Sequence, residues 1–174
     1  MKKILCIFIC IIMLGGCSVE KIKEVKKEPL EISGFNTAIK STLNNVQISA
    51  NAEYVPYKSL NFKFTSPETV KDMQILCSNG EYTVNMNKLS FTFTSEKLPF
   101  NMICRTLEIC INSVQGISPE TDTELDLLVF SYNADGHICK LYTEKETRNF
   151  VKLSVDGNDS LFFENFEYRD KQSN

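Results

Sequence analysis

The sequence predicts an α+β domain: one large antiparallel sheet of about ten strands, with one long helix in its concavity and one short helix. Three observations carry this. Apolar and polar residues alternate over most of the stretch from Phe35 to Tyr168, the period of strands half-buried in a sheet. Short turns such as Asn44-Asn45 and Asn79-Gly80 separate the runs, so successive strands become antiparallel neighbours. A long helical period occurs once, from about Leu98 to Val114.

The N-terminus is an export and anchoring signal by composition. Lys2 and Lys3 precede the apolar run Ile4 to Leu14, and Gly15-Gly16 supply small residues before Cys17. A membrane span would need roughly 20 apolar residues, and this run stops at two glycines before Glu20, Lys21, Lys23 and Glu24. Leu14-Gly15-Gly16-Cys17 resembles the lipobox of bacterial lipoproteins, in which the thiol receives a diacylglyceryl group and the chain is cut just before it. Two acyl chains hold a protein stably, so no second membrane signal is required. The expected organisation is a signal at 1–16, a lipidated Cys17 with a charged tether to 33, and a folded domain over 34–170. Lys and Glu alternate from Ser18 to Ser33, and as a flexible coil this tether would hold the domain roughly 20 to 25 Å from the bilayer.

Cleavage before Cys17 removes two of the 19 basic residues, leaving 17 against 22 acidic. A chain of that balance is a poor partner for nucleic acid, whose phosphates demand basic patches. Cys6 and Cys10 leave with the signal, so Cys77, Cys104, Cys110 and Cys139 remain in the domain. Each sits inside an apolar pattern and reads as a small buried hydrophobe. Cys104 and Cys110 are six apart on one helix, about 600° around, so a disulfide would have to join helix to strand or strand to strand.

Within the domain, Phe35–Leu43 and Val46–Tyr54 flank Asn44-Asn45 as a hairpin, because Asn tolerates the positive φ of a two-residue turn. Leu60, Phe62 and Phe64 form a half-buried strand. Ser66-Pro67-Glu68 follows as the start of the short helix, with Ser at the cap and Pro at the first helical position. Met73 to Cys77 and Tyr82 to Met86 pair across Asn79-Gly80, and Leu89, Phe91 and Phe93 make the next strand. In the long helix Asn101, Arg105, Glu108 and Asn112 share one narrow polar stripe, and apolar residues cover the rest. Such a helix should lie inside the sheet and show only that stripe to water; Arg105 and Glu108 can pair along it. Glu120, Asp122 and Glu124 read as a solvated acidic loop. Leu125 to Tyr132 is apolar on both faces, which suggests a central strand. His137 to Thr143, Val151 to Val155 and Leu161 to Tyr168 complete the sheet.

Motifs for catalysis are missing. His137 is the single histidine, beside the Asp135-Gly136 turn, and reads as an exposed turn residue. It shares a strand face with Cys139, but no Cys-x-x-Cys pair or second histidine supports a metal site. Asn133-Ala134-Asp135-Gly136 echoes a calcium loop, yet its first position would be Ser131 and its twelfth Tyr142. No phosphate loop, nucleophile elbow or cofactor motif occurs.

Phe64 to Met73, Gly80-Glu81-Tyr82-Thr83-Val84, Leu89-Ser90-Phe91, Leu98-Pro99 and Phe163-Glu164-Asn165-Phe166-Glu167 together resemble the LolA-like lipoprotein module of Firmicutes, over roughly Phe35 to Tyr168. The resemblance implies a curved antiparallel half-barrel wrapped around helices. The usual Thr-Gly-x-Pro turn between two late strands is not kept, since 144–149 has Thr147 but neither Gly nor Pro. No functional residue of the family's carriers is matched.

The expected protein is therefore a non-enzymatic lipoprotein on the extracytoplasmic face of the membrane. As a binder of a lipid or other apolar ligand it would use Phe62, Phe64, Phe91 and Phe93 from the strands and Met102, Ile103 and Leu107 from the helix. As an interaction or sensor module with a closed core it would meet a cell-envelope protein through a sheet edge or the polar rim. An enzyme is the least favoured of the three.

Overall fold

The computed structural model describes residues 28–94, 99–100, 102–122 and 124–169; the signal, Cys17, the tether as far as 27, Leu98 and Asn101 lie outside them. Eleven strands and one α-helix are described. In chain order they are β1 (Phe35–Leu43), β2 (Val46–Val55), β3 (Ser59–Ser66), β4 (Gln74–Ser78), β5 (Glu81–Met86) and β6 (Leu89–Thr94), then α1 (Ile103–Val114), then β7 (Glu120–Asp122), β8 (Leu127–Ala134), β9 (His137–Glu144), β10 (Phe150–Val155) and β11 (Asn158–Tyr168).

All eleven strands form one antiparallel sheet in the order β6-β5-β4-β3-β2-β1-β11-β10-β9-β8-β7. Strands consecutive in sequence are neighbours in the sheet, except that β6 and β7 stand at opposite edges and β1 pairs with β11 to join the two meanders. The turns follow their residues: Asn44 and Asn45 stand at φ 50° and 65°, and Asn79-Gly80, Asp135-Gly136 and Asp156-Gly157 likewise take the left-handed region that tight hairpins demand.

The strands β6 and β7 are the two edges of the sheet, and α1 lies between them in the chain. The helix therefore crosses one face. It touches β3 and β4 on one flank and β8 and β9 on the other, which requires the sheet to curve around it. Ile103, Cys104, Thr106, Leu107, Cys110, Ile111 and Val114 are buried, while Arg105, Glu108 and Asn112 face outward as the polar stripe predicts. A second part of the core is aromatic. The Phe35 ring lies 4.9 to 5.5 Å from those of Tyr54, Phe150 and Phe166, and Phe150 also meets Phe163.

Several expectations need correction. The short helix is only a 3-10 turn, Glu68–Val70, and Ser66 belongs to β3. Backbone hydrogen bonds from Asp72 to the Phe64 carbonyl and from Phe64 to the Met73 carbonyl close this loop, leaving too few residues for an α-helix. The long helix begins at Ile103, because Pro99 and Phe100 form a turn whose carbonyls bond Met102 N–H and the Thr106 hydroxyl. Glu120–Asp122, read as loop, pairs with Leu127–Val129 as an eleventh strand. Its partner β8 is thus next to an edge rather than central, although Leu128, Val129 and Phe130 are buried. Of the stretch read as a solvated tether, Leu30 and Ile32 are packed into the core. Leu30 N–H bonds the Ile117 carbonyl and its own carbonyl accepts from Gly116 N–H, both at 3.1 Å, just after the helix.

Leu107 is fully buried under the sheet. Its replacement in Leu107→Ala is expected to lower unfolding free energy by about 3 kcal/mol, read from urea denaturation, since the helix is held on both flanks and the cavity cannot collapse.

Candidate functional site

The inner face of the sheet is defined by contact with the helix. Tyr82 on β5 reaches α1 through a hydrogen bond from its hydroxyl to Glu108 Oε2. Residues directly opposite in an antiparallel ladder share a face, so Phe93, paired with Tyr82, and Phe91, paired with Val84, also lie on the inner face. Leu89 follows, paired with Met86.

Burial along this flank is graded. Tyr82 is fully buried; Val84, Met86 and Phe93 are half-buried; Phe91 and Leu89 are 54% and 60% exposed. Apolar residues on the inner face of β3 and β4 are covered by α1, whereas those at the tip of β5 and on β6 emerge from under it.

The seven predicted ligand-contacting residues divide in two. Phe62 and Leu107 are completely buried, and Phe64 and Ile103 are nearly so, all within one packed cluster. Phe93 and Met102 pack against that cluster with part of their surface free, and Phe91 is open. The structure brings the first four together as core and places the last three toward the rim.

Polar groups on the helix stripe are tied down. Arg105 Nη1 donates to Glu108 Oε2 at 3.2 Å, and Arg105 Nη2 lies 3.8 Å from Asp135 Oδ2 in the β8–β9 turn. Burial and the adjacent Glu108 carboxylate push the Tyr82 phenol well above its usual range, so it stays a neutral donor. On the other flank the Tyr132 hydroxyl donates to Cys110 Sγ at 2.7 Å, and burial pushes the Cys110 thiol up to about 12. Sequence reasoning found the Arg105–Glu108 pair but missed Tyr82 and Tyr132, whose signal is that a buried phenol needs a partner.

His137 is not a bare turn residue. Its ring stacks on Phe100 at 4.2 Å, and Nδ1 lies 2.7 Å from Asp156 Oδ2. This hydrogen bond, together with one from Ile138 N–H, holds the Asp156 carboxyl below the usual carboxylate range. No group of metal-ligating side chains occurs among the described residues. The four domain cysteines are buried free thiols.

A separate depression of about 540 Å3 is lined by Glu28, Pro29, Leu30, Glu31, Ser33, Thr147, Arg148 and Tyr168. It includes none of the predicted ligand residues. Tyr168 donates to the Arg148 carbonyl at 2.9 Å, and the Arg148 guanidinium lies 6.0 Å from the centre of the Phe130 ring. In this turn Arg148 takes a positive φ of 62°. No described helix is long and apolar enough to cross a membrane.

No known family and no curated protein matches the sequence. The likeness to solved structures is one of fold. An uncharacterized conserved protein from Thermus thermophilus is similar with a TM-score of 0.51 at 9% identity, covering 79% of each chain. A LolA superfamily protein from Nitrosomonas europaea gives a TM-score of 0.44 at 9% identity, over 83% of this chain and 90% of that one. The Thermus likeness shows that the fold, an open antiparallel sheet around a helix, is one other proteins share.

Asp156 and Asp159 are the carboxyls expected to set acid stability. A hydrogen bond from the Ser154 hydroxyl, helped by Lys152, lowers Asp159 in the same direction. A carboxyl lower in the folded than in the unfolded state contributes stability above its unfolded value of about 3.9 and loses it as pH falls through the folded one. Urea midpoints should therefore be flat above about pH 5 and drop below about pH 4. In Asp156→Asn/Asp159→Asn the drop should be smaller.

Proposed function

We propose that this chain is a non-enzymatic lipoprotein, held on the extracytoplasmic face of the cell membrane by an acylated Cys17. Its LolA-like inner sheet face takes a lipid or other apolar ligand at the β5–β6 flank. The observation that carries the binding part is the exposure of Leu89 and Phe91 on the face that elsewhere forms the core. Strands normally turn such residues inward or replace them with polar ones, and apolar surface left open on an inner face is what an acyl chain would cover. Phe91, Phe93 and Met102 would touch the ligand, while Phe62, Phe64, Ile103 and Leu107 form the wall behind them. The anchoring part rests on the lipobox-like run before Cys17.

A second reading is supported by the backbone of β6, which pairs only with β5 among the described strands. Its free edge could add a strand from a cell-envelope protein, with Leu89 and Phe91 filling shallow pockets on that partner.

Native mass spectrometry of the mature domain, 18–174 without detergent, separates the two. Ligand binding predicts a retained lipid-sized mass or uptake of added fatty acid or phospholipid, weakened at least tenfold in Leu89→Asp/Phe91→Asp. Because both side chains are exposed, that variant should keep its thermal midpoint. A clean apo mass with no uptake would remove the lipid reading. For the anchor, Cys17→Ala is expected to move the protein from the membrane to the soluble fraction on cell fractionation, with loss of metabolic labelling by palmitate.

A further inference from the structure

The cysteines of this domain are placed in relation to the helix with a regularity the binding function does not require. Cys77 on β4 is the register partner of Tyr82 on β5, and Tyr82 bonds Glu108, which stands one turn beyond Cys104 on α1. Both thiols are therefore in the interface between β4 and the first turn of the helix. The helix and β4 are in direct contact. Each thiol is almost completely buried, with 3% and 1% of its surface exposed.

We propose that Cys77 and Cys104, free thiols in this structure, are oxidised to a disulfide that fastens the N-terminal turn of α1 to β4 on the inner face of the sheet. Four cysteines allow three pairings, and the fold selects among them. Cys110 lies at the other end of the helix, where its sulfur already accepts from Tyr132 on the opposite flank. Cys104 and Cys110 cannot bridge within one helix. Cys139 is the register partner of Tyr132 and belongs to the Cys110 side.

The chemistry is a thiol–disulfide exchange with a disulfide of the glutathione class. Cys104 lies in the first turn of α1, where backbone N–H groups favour a thiolate. Cys104 is thus the attacking thiolate. It displaces one thiolate of the donor to give a mixed disulfide; Cys77 then loses its proton, attacks the Cys104 sulfur and displaces the second. Two cysteine thiols are oxidised, one donor disulfide is reduced, and the two protons end on the two donor thiols. With both sulfurs buried, exchange takes place while the helix is docking, and the finished bond is shielded from reductants.

In the cell the bond needs an oxidising compartment and so rests on the export reading above. The test supplies the oxidant itself, so failure of the pairing and failure of export are read separately. The full chain, in detergent, is refolded from urea in a glutathione redox buffer, blocked with a thiol reagent, digested without reduction and mapped by mass spectrometry. The expected result is a linked pair of peptides carrying Cys77 and Cys104, two hydrogen atoms lighter than the separate thiols. It should form equally in Cys110→Ala/Cys139→Ala. The oxidised protein should unfold roughly 5 to 10 °C above the reduced one, because the bond closes a long loop of the unfolded chain. Labelling of both Cys77 and Cys104 after refolding, or linkage of either to Cys110 or Cys139, would overturn the assignment.

Discussion

The crossing of α1 from one edge of the sheet to the other is the constraint on which the rest depends. Because β6 and β7 are opposite edges, the chain must traverse one face between them, and it does so as the helix. A helix in that position meets the sheet on both flanks and can keep only a narrow strip in water. Its sequence meets the demand: seven of its twelve residues are buried, and the outward strip holds Arg105, Glu108 and Asn112. Fastening comes from phenols at either side, Tyr82 to Glu108 and Tyr132 to Cys110. Each phenol is the ladder partner of a cysteine on the next strand, Cys77 or Cys139.

Much of this architecture was legible in the residues because sheet periodicity and turn chemistry are local. Alternation put Phe62 and Phe64 inward, and Asn44-Asn45 and Asn79-Gly80 placed their hairpins, since the backbone conformation those turns need is a property of two residues. The polar stripe located the helix and its exposed side for the same reason. What failed depended on distant partners. Glu120–Asp122 has no strand pattern and pairs only because β8 offers it an edge. Ser66-Pro67-Glu68 carries a helix-start signal, but the ladder between Phe64 and Met73 closes the loop first. Leu30 and Ile32 were hidden in a charged stretch, and their burial depends on the backbone of Gly116 and Ile117. For the candidate site, periodicity named the right face and could not rank exposure along it. Phe62 and Phe91 have the same pattern in sequence, yet one is sealed under the helix and the other emerges beyond its reach.

Magnitudes decide how that open flank can bind. Covering the exposed parts of Leu89 and Phe91, a little over half of each side chain, would yield about 2 to 3 kcal/mol, at about 1.5 to 3 kcal/mol for a fully buried Leu or Phe side chain. Association itself costs at least about 4 kcal/mol. Two rim residues are therefore too few to hold an acyl chain, and in the proposed binding mode the ligand would have to extend inward to the half-buried Val84, Phe93 and Met102. Met102 is the cap residue of α1, so the depth available is set by where the first turn of the helix sits against β4 and β5. The side chains at that turn are Tyr82, bonded to Glu108, and the buried Cys104. In the proposed binding mode the determinants of affinity would thus include residues a ligand never touches, and the cysteines at the helix start would stand among them.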